Sequence, residues 1–230
     1  MKKMNAIVRT NEIREMAITH GADLVGVADL NLLKGIFVHP SGLLREYKCA
    51  ISIAVNLDKL GGGYDNRTEG QAFSLLEKIA FFLKKLIESE GYQVKVIPPD
   101  ERVEEEGPLY WTGALSHKAV AKAAGLGWIG KSMLLVTQGF GPRVCLITIL
   151  ADMALTPNRP SENRCGSCEA CIEACPVNAL TGAEFDDHPR RLEDALDIRR
   201  CGPWINKTWR KGKICYDCML ACPYGRTKAK

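Results

Sequence analysis

The chain has 230 residues, of which 46% are hydrophobic and 25% are charged, and its formal net charge is +4. These values are typical of a globular protein with a buried core. The longest apolar run, Val144–Leu155, is too short to span a bilayer and is interrupted by Asp152. No apolar run follows the N-terminal lysines, so we expect neither a signal peptide nor a membrane segment, and therefore a cytoplasmic protein.

In chain order, helical and strand-like patterns alternate over the first two thirds of the sequence. Apolar spacing predicts helices over residues 11–20, 71–90 and 116–125, the first capped by Thr10 or Asn11 and the third by Ser116. Apolar and β-branched runs predict strands over residues 23–30, 49–57, 92–97, 133–137 and 143–150, with a turn joining the last two. The sequence thus predicts an α+β protein, with an α/β domain over residues 1–156 and a second domain over residues 157–230.

The segment GLGWIGKS, Gly125–Ser132, matches two nucleotide-binding patterns. It fits the P-loop pattern G-x-x-x-x-G-K-[ST], and its glycines fit G-x-G-x-x-G. Both motifs place a strand before the glycines and a helix after them, because the phosphates bind at that helix N-terminus. Here a helix comes first and a strand follows. We therefore do not expect a nucleotide at this segment. Glycines that end a helix and lead into a strand explain the spacing instead.

Eight of the ten cysteines lie in the C-terminal third and form two sets. The first set has the spacing C-x2-C-x2-C-x3-C-P, and the second ends in C-x2-C-x3-C-P. This is the pattern of two-cluster bacterial ferredoxins, in which the fourth cysteine of each set binds the other [4Fe–4S] cluster. The pattern predicts one cluster on Cys165, Cys168, Cys171 and Cys222, and another on Cys175, Cys201, Cys215 and Cys218.

Other uses of these cysteines fit the sequence less well. Two four-thiolate zinc sites would not need the proline after each fourth cysteine, and disulfides are disfavoured in a reducing compartment. Cys49 and Cys145 lie inside apolar strands, where we expect buried, inert thiols. The long gap between Cys201 and Cys215 predicts an inserted loop or helix.

These motifs together carry a resemblance to a known superfamily. AGLGWIGKSMLLVT, the following GPRV segment, CGSC and the terminal CPYGR resemble the epoxyqueuosine reductase and reductive dehalogenase superfamily from about Asp23 to Arg226. The resemblance implies a nitroreductase-like α/β domain, a two-cluster domain and a cobalamin bound between them. It also implies that part of the corrinoid pocket is formed by Gly125, Gly127, Trp128, Gly130 and Lys131.

The chain also departs from that superfamily. Epoxyqueuosine reductases carry a catalytic aspartate fourteen residues before Gly125, where this chain has Trp111. An indole cannot deliver a proton at neutral pH, and His117 and Lys118 are the candidate proton donors that remain nearby. The helical-repeat region that contacts tRNA does not follow Lys230, and the segment DDHPRR lacks the glycine of the cobalamin motif D-x-H-x-x-G. We therefore do not expect a true epoxyqueuosine reductase.

The function expected from the sequence is an iron–sulfur redox protein that passes electrons to a bound corrinoid. Its partners would be an external electron donor, such as a ferredoxin or flavodoxin, and a small molecule or corrinoid protein. Two alternatives stay open: an electron-transfer or corrinoid-binding module without its own substrate, and a flavin in place of cobalamin. Residues 190–230 contain eleven Lys or Arg and four Asp or Glu. We attribute this excess to cations that flank anionic clusters, and expect no nucleic-acid partner.

Overall fold

The computed structural model describes residues 5–61, 64–103, 112–185, 189 and 191–226. The helices are α1 (Ala6–Thr19), α2 (Asn66–Ser89), α3 (His117–Ala123), α4 (Ala170–Glu173), α5 (Ile198–Trp209) and α6 (Asp217–Ala221). The strands are β1 (Leu24–Asp29), β2 (Cys49–Asn56), β3 (Val94–Ile97), β4 (Trp128–Ile129), β5 (Leu135–Val136) and β6 (Val144–Ala151). The mixed helix and sheet composition expected from the sequence is confirmed.

The described residues of Met1–Val55, Phe73–Leu126 and Cys145–Pro160 form the first of two compact units. Its centre is a four-stranded sheet with the order β1-β2-β6-β3, in which β1 pairs antiparallel with β2, and β3 pairs antiparallel with β6. Every residue of β2 is buried, as expected for a strand covered on both faces. Helices α1 and α3 both contact β1. The apolar runs therefore form the centre of this unit, as predicted.

Two helices begin earlier than their apolar spacing predicts. Asn5, rather than Thr10 or Asn11, caps α1 by accepting a hydrogen bond from the backbone N–H of Ile7. Helix α2 begins at Asn66, because Asp65 accepts a hydrogen bond of 2.9 Å from the backbone N–H of Thr68. Polar caps set these boundaries, so the apolar period alone placed them too late.

The described residues of Asn56–Ala72, Gly127–Val144 and Ser161–Lys230 form the second unit. A small antiparallel sheet pairs β4 with β5, in the register Trp128 with Val136 and Ile129 with Leu135. The strand predicted over residues 133–137 is therefore short and does not pair with β6. Met133 has a φ of +60° and donates a backbone hydrogen bond to Gly130, so the chain reverses there and β5 returns along β4.

Helix α5 occupies the gap between Cys201 and Cys215, where an inserted loop or helix was predicted. Asp197 caps its N-terminus by accepting a hydrogen bond of 3.0 Å from the backbone N–H of Arg199. In the described ranges, no helix has the length and apolar character that crossing a membrane requires. The domain boundary after residue 156 stays a prediction.

Candidate metal centre

The thiols of Cys165, Cys168, Cys171 and Cys222 lie together in the second unit. Burial raises the pKa of Cys171 to about 11, and the neighbouring Cys165, Cys222 and Cys168 contribute to the rise. The pKa of Cys222 is raised by burial and by Cys165 and Cys168. Residues 165–171 and 222 are brought together because the short helices α4 and α6 pack against each other. The fourth thiol of this group thus comes from the second cysteine set.

A second group contains Cys175, Cys201, Cys215 and Cys218. Burial raises the pKa of Cys218 to about 12, and Cys215, Cys201, Cys171 and Cys175 add to it. The pKa of Cys201 is likewise raised by burial, then by Cys175 and Cys215. Because Cys171 acts on Cys218, the two thiol groups are neighbours. Here too the fourth member, Cys175, comes from the other cysteine set.

These groupings suit two polynuclear clusters better than two single metal ions. Among the described residues, no three Cys, His, Asp or Glu side chains converge closely enough to hold one ion. The four thiolates of a [4Fe–4S] cube bind four different irons, so they stand further apart than the ligands of one zinc ion. All eight cysteines are free thiols rather than disulfides. Burial raises the pKa of Cys171 and Cys218 because it disfavours the charged thiolate, and bound iron would offset that cost.

Hydrogen-bond donors lie beside the sulfurs of the second group. The backbone N–H of Ala179 donates to Sγ of Cys175 at 3.3 Å. The indole N–H of Trp204 is buried and has no partner of normal hydrogen-bond geometry among the described residues. It nevertheless lies close enough to the Cys215 thiol to lower its pKa against the larger, raising effect of burial. Such donors stabilise the negative charge of a cluster and its ligands.

Arg143 places a positive charge beside the first thiol group. Arg143 is 4% exposed, and its guanidinium pairs with Asp58 at 3.3 Å and donates to the backbone oxygen of Tyr224 at 2.7 Å. This charge lowers the pKa of Cys222, against the raising effect of burial. The GPRV segment contains Arg143, but no sequence pattern indicates a role for Arg143 or for Trp204. Only the chain path shows which thiol each one faces.

The glycines of GLGWIGKS contact atoms of the protein itself. A Cβ at Gly125 would lie 2.4 Å from the backbone oxygen of Arg159, and one at Gly127 would lie 2.1 Å from that of Val136. A Cβ at Gly130 would lie 2.8 Å from Val136 and 3.3 Å from Sγ of Cys165. Close chain packing therefore explains why these positions lack side chains. The segment begins no helix but forms β4, so the geometry of a P-loop is absent here.

The rest of this segment anchors the first thiol group. Trp128 is 2% exposed and makes an edge-on contact with Tyr224, two residues after Cys222, with ring centroids 4.8 Å apart. Lys131 is 8% exposed and donates a hydrogen bond of 2.9 Å to the backbone oxygen of Gly166, next to Cys165. Its ammonium also lies 3.5 Å from a carboxylate oxygen of Glu184. A buried cation therefore stands beside the loop that carries Cys165.

A cleft of about 360 Å³ opens beside these residues, with Lys131, Cys165, Gly166, Glu184 and Phe185 among its lining. It combines an ammonium, a carboxylate and an aromatic ring at the edge of the first thiol group. A polar reactant that reached this cleft would stand next to the sulfur of Cys165.

The predicted proton donors His117 and Lys118 lie at the start of α3, in the first unit. The two ring nitrogens of His117 already have partners, Thr148 Oγ1 at 2.8 Å and the Pro98 oxygen at 2.9 Å. Since a carbonyl only accepts, Nε2 carries a proton and, in the neutral ring, Nδ1 accepts from the hydroxyl. Burial lowers the pKa of both His117 and Lys118. These contacts give His117 a structural role, and proton donation by either side chain stays a prediction.

Two further sequence observations lie outside the described residues. They are Trp111, at the position of the family aspartate, and most of the segment DDHPRR, residues 186–191. Cys49 is buried and donates to the Met153 backbone oxygen at 3.4 Å, and burial raises the pKa of its thiol to about 12. Cys49 is therefore buried as expected, whereas Cys145 is only partly buried, so the expectation of a buried thiol there was wrong.

The comparison with known families agrees with the thiol geometry. Residues 164–225, which contain all eight clustered cysteines, match the model of a 4Fe-4S double cluster binding domain. The fold and the site therefore define an iron–sulfur protein with two [4Fe–4S] clusters.

Beyond this class, the resemblance to the epoxyqueuosine reductase and reductive dehalogenase superfamily is confirmed. An epoxyqueuosine reductase of Vibrio cholerae is 33% identical over 171 residues, which are 73% of this chain and 41% of the relative. The chain spans only about a third of the length of most curated relatives that it matches.

Solved structures share the fold over nearly the whole chain. An epoxyqueuosine reductase crystallised with an epoxyqueuosine-modified tRNA stem loop matches with a TM-score of 0.68 and 22% identity, covering 97% of this chain and 67% of that one. A reductive dehalogenase described with a mechanism for B12-dependent dehalogenation matches with a TM-score of 0.75 and 19% identity, covering 99% and 34%. At these identities the likeness concerns the fold alone.

These findings correct the function expected from the sequence. The interpretation as a module that delivers electrons to a corrinoid, and not a true epoxyqueuosine reductase, was wrong, because the relatives at 33–49% identity are named epoxyqueuosine reductase. The expectation of no nucleic-acid partner conflicts with the tRNA stem loop bound by the structural relative. The error came from giving one substituted position, Trp111, and the end of the sequence more weight than similarity over most of the chain.

Proposed function

We propose that this chain is a reductase that acts on an epoxyqueuosine-type nucleoside in tRNA, with electrons supplied through two [4Fe–4S] clusters. The observation that carries the proposal is the pair of neighbouring thiol groups within a double-cluster domain, in a chain whose relatives are named for this reaction. Reduction of an epoxide consumes two electrons and two protons. Each cluster transfers one electron at a time, so two adjacent clusters together match the demand.

In this proposal the ligands are divided as the cysteine spacing predicts. The first thiol group holds one cluster and the second group holds the other, each with one cysteine borrowed from the other set. Lys131 and Arg143 place positive charge beside the first cluster and offset part of its negative charge. Ala179 and Trp204 serve the second cluster as hydrogen-bond donors.

In this proposal the α/β domain over residues 1–156 binds the substrate, and the double-cluster domain over residues 157–230 supplies the electrons. We infer that this domain is nitroreductase-like. Its sheet order and the helices on β1 are compatible with that architecture, and the structural relatives share the fold. A flavin in this domain stays a prediction without a supporting contact.

Cobalamin is proposed as a further cofactor, supported by the structural relative described with B12-dependent chemistry. When bound, a corrinoid supplies a strongly reducing cobalt centre. The three glycines predicted to face the corrinoid do not fit that role directly, because an atom of the protein itself occupies the space beside each one. Of the predicted corrinoid contacts, Lys131 lines the cleft beside Cys165. Binding is tested by anaerobic titration of cobalamin, read by absorbance.

An activity assay tests the proposed reaction. The protein is purified anaerobically, loaded with iron and sulfide, and incubated with an epoxyqueuosine-modified tRNA stem loop, cobalamin and a photoreduced deazaflavin. Nucleosides from a digest are then identified by mass spectrometry. We expect loss of one oxygen from the modified nucleoside with the wild-type chain and with Cys49→Ala, and none with Cys171→Ala. An unchanged nucleoside in the presence of eight irons per chain would overturn the proposal.

A further inference from the structure

Helix α5 has an inner side that faces the second thiol group. Its partly buried positions, Cys201, Trp204, Ile205 and Thr208, recur every three or four residues and so share one face of the helix. Cys201 belongs to the second thiol group, and Trp204 lies beside Cys215. The inner side of α5 is thus one wall of the second cluster site.

The C-terminal end of α5 is cationic. Lys207, Arg210 and Lys211 are exposed, and among the described residues none of them forms an ion pair. The sequence has no Asp or Glu from Ile198 to Tyr216. Arg199 and Arg200 are different, because both pair with Asp197. The positive charge available to a partner is therefore concentrated at the end of the helix.

An exposed aromatic ring stands among these cations. Trp209 is 56% exposed, although its indole is large and mostly apolar. Aromatic residues and Arg are enriched where proteins contact their partners, and Arg210 follows Trp209 directly in the sequence. We name the surface formed by Lys207, Trp209, Arg210 and Lys211 the α5 basic patch.

We propose that the α5 basic patch docks an acidic one-electron carrier, which reduces the cluster held by Cys201. This inference rests on the proposed function, since it assigns the entry point of its electrons. In each encounter the carrier loses one electron and the cluster gains one, and no bond forms or breaks. The patch begins at Lys207, six residues or about 9 Å along the helix axis from Cys201. The Nζ of Lys207 lies 5.1 Å from the ring centre of Trp204, the side chain beside Cys215.

Charge and size both favour a carrier over RNA at this patch. Three cations and one indole make a small surface, which suits the weak and brief encounters of electron-transfer partners. Opposite charge speeds such encounters by steering. A tRNA substrate would instead have to place its reacting nucleoside where electrons leave the clusters, and the patch is proposed as the place where they enter.

The test measures how fast reduced flavodoxin, a small acidic carrier, reduces the clusters of the full, iron-loaded chain. Stopped-flow absorbance follows the reaction at increasing salt concentration. The test variant is Lys207→Glu/Arg210→Glu/Lys211→Glu, and a glutamine version of the same triple keeps the helix end free of added negative charge. The matched control is Lys34→Glu/Lys78→Glu/Lys85→Glu, which reverses three exposed lysines of the first unit.

We expect the wild-type rate to fall as salt is added. The glutamate variant should be at least tenfold slower at low salt and nearly independent of salt, the glutamine variant intermediate, and the control within about twofold of wild type. Photoreduced deazaflavin should reduce all four proteins equally. The inference is overturned if either test variant matches wild type, if the control loses as much, or if the patch variants lose affinity for the tRNA stem loop while flavodoxin still reduces them normally.

The two proposals fail separately. Deazaflavin-driven reduction of the modified stem loop bypasses the carrier and reports on the proposed function alone. A patch variant that stays active with deazaflavin but not with flavodoxin supports the docking surface.

Discussion

At the scale of single residues, the environment of each cysteine distinguishes ligands from inert thiols. Cys49 is buried between strands and bonded to a backbone oxygen, whereas the eight clustered thiols lie near one another, and Cys175 and Cys222 also lie near an N–H donor and a cation, respectively. The same distinction applies to Trp204. Its buried N–H has no partner of normal hydrogen-bond geometry among the described residues, but it lies beside the Cys215 thiol. Such a donor should tune a cluster.

Replacing Trp204 by Phe should lower the reduction potential of the second cluster. The substitution removes the N–H and keeps an aromatic ring under Lys207, whose Nζ lies 5.1 Å from the ring centre. A hydrogen bond that favours the more negative, reduced cluster by about 1 kcal/mol corresponds to a fall of about 40 mV for one electron. A redox titration followed by EPR measures the shift. Trp209→Phe is the control, and a shift of equal size there, or none in Trp204→Phe, would contradict the assignment.

His117 provides a prediction about pH. Burial lowers its pKa from 6.5, while the bond to the Pro98 carbonyl opposes the shift. The folded protein therefore binds fewer protons than the unfolded chain below pH 6.5, and stability falls as the pH drops through that value. His117→Gln keeps an amide N–H for the carbonyl but cannot titrate. The difference in the free energy of unfolding between wild type and variant should shrink below pH 6.5, by up to about 1.4 kcal/mol per pH unit.

Urea unfolding of the two proteins between pH 7.5 and 5.5 checks this, because the contribution of the clusters is common to both. A difference that stays constant across this range would show that the ring is not held neutral.

At the scale of elements, GLGWIGKS has a structural role rather than the nucleotide-binding role that its spacing resembles. Its glycines allow β4 to approach β5 and the loop of Cys165, and its lysine binds that loop. The order of a helix followed by a strand, read from the sequence, was enough to reject a nucleotide site. The pairing of β4 with β5 could not be read in advance, because two-residue strands carry no periodicity and depend on the reversal at Met133.

Gly127→Ala should therefore destabilise the small sheet. The added Cβ would meet the Val136 backbone oxygen at 2.1 Å, and neither backbone can move without breaking the pairing. We expect a loss of about 3 kcal/mol in the free energy of unfolding. Gly139→Ala is the matched control, since a Cβ there meets nothing within 4 Å. Denaturant unfolding compares the two, and equal stability would show that β4 and β5 are not packed as described.

The other elements also separate into those that the sequence pattern predicted and those that depend on contacts between distant residues. Long apolar runs predicted β1, β2 and the buried face of α2, because burial imposes a period that one sequence displays. Cap residues moved helix ends by several positions, and the grouping of thiols followed from cysteine spacing. The contacts of Arg143 and Trp204 had no sequence signal, since residues far apart in the chain supply them.

At the scale of the whole molecule, the proposed function and the α5 basic patch together describe a path for electrons through the two clusters. Electrons would enter at the α5 basic patch, pass from the cluster of Cys201 to that of Cys165, and reduce a nucleoside of tRNA. Each step depends on the two thiol groups being neighbours, which the action of Cys171 on Cys218 supports.

A single-turnover experiment tests this path most directly. The iron-loaded chain is reduced, freed of reductant and mixed anaerobically with the epoxyqueuosine-modified tRNA stem loop in the presence of cobalamin. We predict that the EPR signals of both reduced clusters disappear as up to about one nucleoside per chain loses its oxygen. Clusters that stay reduced beside an unchanged nucleoside would contradict it.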